Sequence, residues 1–335
     1  MNILLTSVGR RTYMVNYFKE ALSGMGRVHA ANSVETYSMK IADKSVLTPL
    51  IYDSNYIDFL LDYCLENNIT AVISLFDIDL PILARNKIKF AEKGITVIVS
   101  DLELTQICND KWLTYNFLIE NEFQAPASFL TIEDTLTSVK NKAVKYPLII
   151  KPRWGMGSIG IFQAESNKEL QLFFKKTQEK IAKSYLKYES QNAPTENVII
   201  QEKLPGDEFG LDVFNDLKGN LLACIPKKKL AMRAGETDAA EIINNTELVE
   251  LGKKLSKKTK HIGNLDVDCF YKNNQVYILE MNCRFGGQYP FAHLAGVNFP
   301  KAIVQMLTGA RVEKKLLRAK AGTIGIKDLL PVKLV

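Results

Sequence analysis

Short apolar runs and longer amphipathic segments alternate along the first hundred residues of the chain. A short apolar run is typical of a buried strand, and apolar residues at every third or fourth position are typical of a helix. The predicted strands span residues 3–5, 28–31, 71–75 and 96–99, and the predicted helices begin near residue 12 and span residues 56–65 and 80–90. Because strands separated by helices build a parallel, doubly wound sheet, residues 1–100 are predicted to form an α/β domain.

Two polar loops follow predicted strands of this domain, at residues 7–11 and 76–79. Ligands of parallel sheets gather at the carboxyl ends of the strands, so side chains of these loops are candidate substrate contacts. The candidates are Arg10, Arg11, Asp77 and Asp79. The two arginines lie at a predicted helix N-terminus, where the helix dipole disfavours cations. An anion bound between them would explain this placement, and the alternative is a pair of solvated arginines.

A second unit begins near residue 101. Asp110 lies near the start of a helix predicted to continue to residue 121, where its negative charge stabilises the helix. Strands are predicted at residues 127–130, 146–150, 160–164, 198–202, 209–215, 221–226, 264–271 and 275–281, and a mostly helical segment at residues 167–195. Domain boundaries are therefore predicted near residues 100 and 310, which leaves residues 311–335 as a C-terminal segment.

The strand predicted near residue 148 leads into a loop rich in glycine. Lys151 opens this loop, and Gly155, Gly157, Ser158 and Gly160 follow. Glycine permits backbone conformations in which consecutive N–H groups face an anion, and the lysine adds a positive charge. The loop therefore indicates a phosphate-binding segment, although its lysine precedes the glycines, unlike the lysine of a Walker A loop. The alternative is a glycine-rich hairpin turn.

A second candidate site lies on the last predicted strand. Side chains two residues apart share a strand face, so Glu280, Asn282 and Arg284 are predicted to point the same way. Carboxylate and amide oxygens are ligands suited to Mg²⁺ that also holds nucleotide phosphates, and an arginine beside them would neutralise a transferred phosphoryl group. Either Asp266 or Asp268 on the preceding strand would complete the metal site, and Asp268 is favoured. The alternative is an exposed ion pair between Glu280 and Arg284.

Taken in order, these segments resemble the ATP-grasp superfamily, and most closely its single-module proteins that are similar to half of the carbamoyl-phosphate synthase large subunit. The matching segments run from Asn2 to about Gly296. The resemblance implies a Rossmann-like pre-ATP-grasp domain at residues 1–100 and a two-lobed α+β ATP-grasp domain at residues 101–310, with the lid lobe at about residues 115–200. It also implies that ATP and a divalent metal, Mg²⁺ or Mn²⁺, are bound, the metal by the carboxylate and amide side chains described above.

The resemblance assigns ATP binding to a set of residues spread over the second unit. They are Lys111, Lys151, Gly155, Gly157, Ser158, Gly160, Glu202, Lys203, Leu204 and Glu208. Lys111 and Lys151 are implied to contact phosphate, and the glycine loop is implied to close over it. Glu202 and Leu204 are implied to contact the adenine, and Glu208 the ribose hydroxyls.

The segment 226–233 carries four cations after a predicted strand. In the family this region often lines the place where an acyl phosphate forms, so Lys229 and Arg233 are candidate catalytic residues together with Arg284. Alternation along a strand places Lys227 and Lys229 on one face, allows Arg233 to share it, and places Lys228 on the opposite face. At least one lysine of the segment is expected to be solvated.

These residues together predict an ATP-dependent carboxylate–amine or carboxylate–thiol ligase. ATP would convert a substrate carboxylate into an acyl phosphate, and an amine would then displace phosphate to form an amide, with ADP released. One alternative is phosphorylation of bicarbonate or carbamate at the same site, and the other is a nucleotide-binding module without turnover. The predicted partners are a small-molecule carboxylate and an amine, and a homodimer is the expected assembly.

Composition excludes several other classes of protein. The chain is 47% apolar and 24% charged, and no apolar run approaches the roughly 20 residues of a membrane span, so a cytoplasmic protein without a signal peptide is expected. The five cysteines include no C-x-x-C pair, which argues against a disulfide framework or a zinc site. The net charge of +6 is modest, and the lysines of residues 253–260 have helical spacing, which predicts a solvated helix face instead of a nucleic-acid surface.

Overall fold

The computed structural model describes residues 1–155, 159–272 and 275–334. The first strands are β1 (Asn2–Thr6), β2 (Val28–Asn32), β3 (Lys44–Leu47), β4 (Ile69–Ser74) and β5 (Thr96–Val97). They pair in parallel in the order β3-β2-β1-β4-β5, which confirms the predicted parallel α/β domain. The sequence predicts each of these strands except β3, which lies at the sheet edge with mostly exposed side chains and so has no apolar signature.

Helices connect the strands of this sheet. They are α1 (Thr12–Leu22), α2 (Tyr37–Ile41), α3 (Tyr56–Glu66), α4 (Asp79–Ala91) and α5 (Leu102–Asn109). Helix α1 buries Met14, Val15 and Phe18 in the core, which are the positions that helical periodicity brings to one face. The strand order changes direction between β1 and β4, so the loops after these two strands meet at a topological switch point, the usual ligand site of such sheets.

Helix α6 (Lys111–Glu120) follows α5 and buries Leu118 in the same core cluster as Leu104 of α5. The next segment folds into a small lobe around an antiparallel sheet. Its elements are β6 (Ser128–Phe129), α7 (Ile132–Lys140), β7 (Leu148–Pro152), β8 (Phe162–Ala164), α8 (Asn167–Ala182), α9 (Leu186–Glu189) and β9 (Val198–Glu202). The strand order is β6-β9-β7-β8. The lobe has an apolar core of its own, in which Leu148, Ile150 and Ile200 are fully buried.

A larger antiparallel sheet completes the fold. Its elements are β10 (Glu208–Asn215), β11 (Leu221–Arg233), β12 (Glu236–Ile242), α10 (Thr246–Thr259), β13 (Gly263–Lys272), β14 (Gln275–Asn282), α11 (Tyr289–Leu294), α12 (Phe299–Leu307) and β15 (Ile324–Ile326). The strand order is β14-β13-β10-β11-β12-β15. Strand β15 lies in the segment that the sequence left unassigned, and it pairs with β12 at the sheet edge.

The N-terminal domain and the large sheet share one apolar core. Side chains of β1 and α1 belong to the same cluster as Phe214 of β10 and Phe299 of α12, whose rings stack with 4.0 Å between centroids. The ring of Tyr17 in α1 also stacks on His293 of α11 at 3.6 Å. This shared packing fixes the carboxyl ends of β1 and β4 against the end of β14.

The lysine-rich segment 253–260 forms the second half of α10 and its C-cap. The lysines of α10 lie on its exposed face while Leu248 and Leu255 are buried, which confirms the predicted solvated helix face. None of the helices in the described ranges has both the length and the apolar content of a membrane span.

Candidate active site

A central cavity lies where the N-terminal domain, the small lobe and the large sheet meet. Its lining comes from all three parts of the chain and includes Arg11, Lys111, Lys151, Lys229, Glu280 and Arg284. The sequence predicts each of these as a functional residue, and the fold brings them together although up to 273 positions separate them. We refer to this space as the central cavity.

Lys111 is positioned by the start of α6. Asp110 caps this helix, as predicted, by accepting from the backbone N–H of Trp112 at 2.9 Å. The same carboxylate accepts from Nε and Nη2 of Arg153, each at 2.8 Å, which ties the helix to the end of β7. Nζ of Lys111 then donates to the carbonyl oxygen of Gly155 at 2.6 Å, at the start of the glycine loop.

Lys151 lies at the end of β7 with 5% of its surface exposed. Its Nζ donates to Oε1 of Gln201 at 2.8 Å, and Nε2 of Gln201 donates in turn to Ser128 Oγ at 2.9 Å. Burial, together with the charge of Lys111, lowers the pKa of Lys151 to about 8. Within the described residues neither lysine forms an ion pair with a carboxylate, so their positive charges are available to an anion in the cavity.

The glycine loop is described only in part. Gly155 has φ +108°, and a Cβ at this position would lie 2.5 Å from Cδ2 of Leu186 in α9. Gly160 has φ +68° and begins the return toward β8. Glycine is therefore required at Gly155 for both conformation and space. The predicted phosphate contacts Gly157 and Ser158 lie outside the described residues.

The predicted adenine contacts lie where the chain passes from β9 to β10, and they are not part of the cavity lining. Glu202 ends β9 and accepts from Nζ of Lys272 at 2.9 Å. Lys203 is exposed and donates to Gln163 Oε1 at 2.7 Å, whereas Leu204 is buried. Glu208, the predicted ribose contact, does line the cavity, and it accepts from Nζ of Lys229 at 2.5 Å.

The predicted metal ligands face each other across two paired strands. Asp268 of β13 lies opposite Glu280 of β14, and Asp266 lies opposite Asn282. Asp268 accepts from Nζ of Lys229 at 2.7 Å. Within the described residues no group of three or more His, Cys, Asp or Glu side chains is placed to hold a metal, so a metal here would depend on the amide oxygen of Asn282 as well.

The two carboxylates of this pair have opposite pKa shifts. Burial, together with the charges of Asp266 and Glu280, raises the pKa of Asp268 to about 7 against the opposing effect of Lys229. Burial acts to raise the pKa of Glu280 as well. Four cations act against burial and lower this pKa overall, and they are Lys111, Lys151, Lys229 and Arg284. Glu280 is therefore the carboxylate that stays ionised, and the mutual repulsion of the pair favours a cation between them.

Arg284 lies just beyond β14 and is held by two carboxylates. Its Nη2 is 2.8 Å from Asp77 of the N-terminal domain, and its Nη1 donates to Asp266 at 2.9 Å. Burial would lower the pKa of Arg284, but these two carboxylates raise it. Asp77, which the sequence predicted as a substrate contact, thus orients Arg284, and Asp266 is occupied by the same guanidinium.

The other candidates of the N-terminal domain lie in different places. Arg11 lines the central cavity and donates from Nη1 to the carbonyl oxygen of Phe285 at 2.5 Å, whereas Arg10 is exposed. Asp79 is fully buried at the start of α4, outside the lining of the cavity. Its carboxylate accepts from four hydroxyl groups, those of Thr6, Ser7, Tyr56 and Ser74. These bonds join β1, α3 and β4, so the structure gives Asp79 a role within the domain.

Arg233 does not share the cavity with Lys229. The pairing of β11 with β12 shifts register between Lys229 and Met232, so the simple alternation of strand faces fails there. Met232 lines the cavity, and the exposed Arg233 pairs with Asp238 instead. Lys227 and Lys229 do share a face, as predicted, and the exposed Lys228 pairs with Asp207 at 2.6 Å.

Gln288 is a site residue that the sequence did not indicate. Its Nε2 donates to Asp266 Oδ1 at 2.6 Å and to Asp268 Oδ1 at 3.1 Å, so it bridges the two candidate metal carboxylates. Two glycines leave room for this arrangement. A Cβ at Gly210 would lie 1.6 Å from Oε1 of Gln288, and one at Gly286 would lie 2.1 Å from the Asp266 carboxylate. The Gly-Gly-Gln sequence at residues 286–288 was the available signal for this role. The role could not be predicted from that sequence, because the partners of Gln288 lie on other strands of the sheet.

Comparisons with known proteins agree with this architecture. The carbamoyl phosphate synthase large chain of Clostridium acetobutylicum is 23% identical over 297 residues, which cover 84% of this chain and 26% of that relative. The D-alanine–D-alanine ligase of Thermotoga sp. strain RQ2 is 27% identical over 203 residues, which cover 56% of this chain and 61% of that relative. The chain therefore spans less than two thirds of the length of these two relatives.

A solved structure shows the same fold. The biotin carboxylase of Campylobacter jejuni, solved as a complex with β-γ-ATP, superposes with a TM-score of 0.73 at 16% identity, over 95% of this chain and 73% of that one. Residues 3–98 match the family model described as PylC-like, N-terminal domain, and residues 108–288 match the model of the ATP-grasp domain. Because the latter match covers more than half of the chain, the protein belongs to the ATP-grasp family.

Proposed function

We propose that the protein is an ATP-dependent ligase that activates a carboxylate and joins it to an amine. The observation that carries the proposal is the meeting, in one cavity, of two lysines that have no carboxylate partner among the described residues, a pair of facing carboxylates and a buried arginine. A carboxylate oxygen attacks the γ-phosphorus of ATP, and ADP leaves. The amine then attacks the acyl carbon, the acyl phosphate C–O bond breaks, and phosphate and a proton are released.

Lys111 and Lys151 are proposed to bind the polyphosphate of ATP. Both line the cavity beside the start of the glycine loop, and the loop is proposed to close over the phosphates and exclude water from the acyl phosphate. The adenine is assigned to the segment 202–204 at the end of β9, and the ribose to Glu208. A sulfur nucleophile in place of the amine would use the same activated intermediate.

A divalent metal, Mg²⁺ or Mn²⁺, fits the donor set of β13 and β14. We propose that Asp268, Glu280 and Asn282 hold it, because Asp268 faces Glu280 directly across the strand pair. Carboxylate and amide oxygens are ligands that suit a hard cation. When bound, the metal would neutralise phosphate charge during transfer.

Arg284 is proposed to stabilise the charge that develops on the transferred phosphoryl group. Its guanidinium is fixed by Asp77 and Asp266 before any substrate arrives, so little reorganisation is needed during the reaction. Lys229, which lies between Glu208 and Asp268, would orient these two carboxylates in the cavity.

The affinity for ADP is expected to fall as the pH rises through about 8, the lowered pKa of Lys151. A bound phosphate stabilises the ammonium form of Lys151 and so raises its pKa. Above pH 8 the affinity for ADP should therefore fall by as much as about tenfold per pH unit. Calorimetric titration of ADP without added metal between pH 6.5 and 9.5 would measure it. Lys151→Met should remove the pH-dependent component, and Lys253→Met on the exposed face of α10 should keep it. A flat profile for the unmodified protein would contradict this role.

The proposed function is tested by measuring phosphate release from Mg-ATP across a panel of carboxylates with and without amines. Turnover that needs both an organic acid and an amine is the expected result, with formation of the amide checked by mass spectrometry. Turnover with bicarbonate alone would favour the activity suggested by the similarity to carbamoyl phosphate synthase. Tight ATP binding with no turnover for any pair would overturn the ligase proposal.

A further inference from the structure

Arg11 is a cation of the central cavity whose charge is not neutralised by a carboxylate. It is partly buried, and its Nη1 donates to the carbonyl oxygen of Phe285, which carries no full charge. No ion pair joins Arg11 to an acidic side chain anywhere in residues 1–155, 159–272 and 275–334. Burial and the nearby Arg284 lower the pKa of Arg11, which means that they disfavour its charged form. A bound anion would stabilise that charged form.

The neighbouring cations on this side of the cavity are already paired. Arg284 is bound by Asp77 and Asp266, so two carboxylates already balance its charge. Lys327, whose Nζ lies near Gly287, is 3.3 Å from Glu236. Among the described lining residues of the cavity, Arg11 is therefore the cation of the N-terminal domain that has no carboxylate partner.

The backbone around Arg11 is held in one conformation. Ser7 has φ +53° and Gly9 has φ +49° in the loop after β1, and the N–H of Gly9 donates to Asn32 Oδ1 at 3.2 Å. The N–H of Arg11 donates to the carbonyl oxygen of Val8 at 2.9 Å. A fixed backbone and the bond to Phe285 pre-organise the guanidinium, which lowers the entropy lost when it binds a ligand.

The structure provides room and polar groups next to Arg11. Gly287 lines the same cavity as Arg11, and a Cβ there would meet its first neighbour, Nζ of Lys327, only at 3.6 Å. Thr237 of β12 also lines the cavity and offers a hydroxyl donor.

We propose that Arg11 binds an oxyanion of the ligase's acid substrate, so that the substrate is a small anion recognised by the N-terminal domain as well as by the ATP-grasp domain. This inference rests on the proposed function, and it assigns the acid to the wall formed by Arg11, Gly287 and Thr237. A guanidinium binds carboxylate and phosphate oxygens through two parallel hydrogen bonds, so both groups satisfy the same chemistry.

Binding of two probes, succinate and inorganic phosphate, tests the inference by calorimetry in the presence of Mg-ADP. Arg11→Ala is expected to weaken binding of the preferred probe by about 10- to 100-fold, and Arg11→Lys by less, because lysine keeps the charge but not the paired donors. Arg10→Ala is the matched control. Arg10 is the adjacent residue, is exposed and lies outside the cavity lining, so its loss should change the affinity by less than about twofold.

The two probes identify which oxyanion is recognised, a carboxylate or a phosphate. Equal affinities in the unmodified protein and in both Arg11 variants, or no binding of either probe to the unmodified protein, would overturn the inference. A different result would contradict the proposed function. In that case the anion would bind in an Arg11-dependent way, but no phosphate would be released from ATP. A protein that turns over a substrate with a KM unchanged in Arg11→Ala and Arg11→Lys would contradict the inference while supporting the function.

Discussion

Glu280→Gln is expected to lower ATP turnover by about 10²- to 10³-fold and to remove the gain in ADP affinity that Mg²⁺ provides. The substitution keeps the shape of the side chain and deletes its charge. Burial opposes that charge, but the cations around it, above all Lys111 and Lys151, lower the pKa of Glu280, so the residue is ionised at neutral pH. Its loss leaves the facing carboxylate of Asp268 as the one proposed anionic ligand of the metal.

Titration of ADP with and without Mg²⁺ separates the loss of metal binding from a general loss of nucleotide binding. The affinity for metal-free ADP should be retained or improved, because a negative charge beside the phosphate lysines has been removed. Glu250→Gln, on the exposed face of α10, removes the same charge far from the cavity and should leave both affinities unchanged. A variant at Glu280 that responds to Mg²⁺ as the unmodified protein does would show that the metal is held elsewhere.

Lys227→Met is expected to lower the free energy of unfolding by about 3–5 kcal/mol. Lys227 of β11 and Asp212 of β10 are both fully buried and form an ion pair with each other. Asp212 also accepts from Nδ2 of Asn264 at 3.0 Å. Burial raises the pKa of Asp212 against the opposing charge of Lys227, so removal of the lysine leaves a carboxylate in the core without its counter-charge.

Urea denaturation followed by circular dichroism measures this effect. Lys228→Met is the matched control, since Lys228 is the next residue of the strand and pairs with Asp207 in solvent. Its substitution should change the stability by about 1 kcal/mol or less. The double variant Lys227→Met with Asp212→Leu should recover much of the lost stability, because it removes both buried charges. Equal stabilities of the Lys227 and Lys228 variants would contradict the importance of the pair.

The N-terminal domain takes a direct part in the candidate active site. Asp77 lies in the loop after β4 and holds Arg284 from a distance of 207 positions in sequence, and Arg11 lies in the loop after β1. Both loops meet at the switch point of the parallel sheet. The apolar core that α1 and α12 share joins this domain to the large sheet, so the domain contributes side chains directly to the cavity.

Local sequence was sufficient to predict much of the fold and the phosphate side of the site. The strands of the parallel sheet could be predicted from their apolar runs, because both of their faces are covered. The helix that begins at Lys111 could be predicted from its cap at Asp110. The grouping of Glu280 with Asn282 followed from the two-residue period of a strand. Edge strand β3 was missed, since a strand in contact with solvent has no such apolar signature.

Only the tertiary structure decided which polar side chains meet. The partner of Asp77 and the bridging role of Gln288 depend on loops and strands that are distant in sequence, and no local pattern encodes such contacts. A register shift in β11 turned Arg233 away from Lys229, although simple alternation allowed them to share a face. The sequence by itself determined the order of elements and the candidate chemistry, because periodicity and residue type are local properties. The assembly of that chemistry around one cavity, with Arg11 inside and Arg10 outside, required the packing of three sheets against one another.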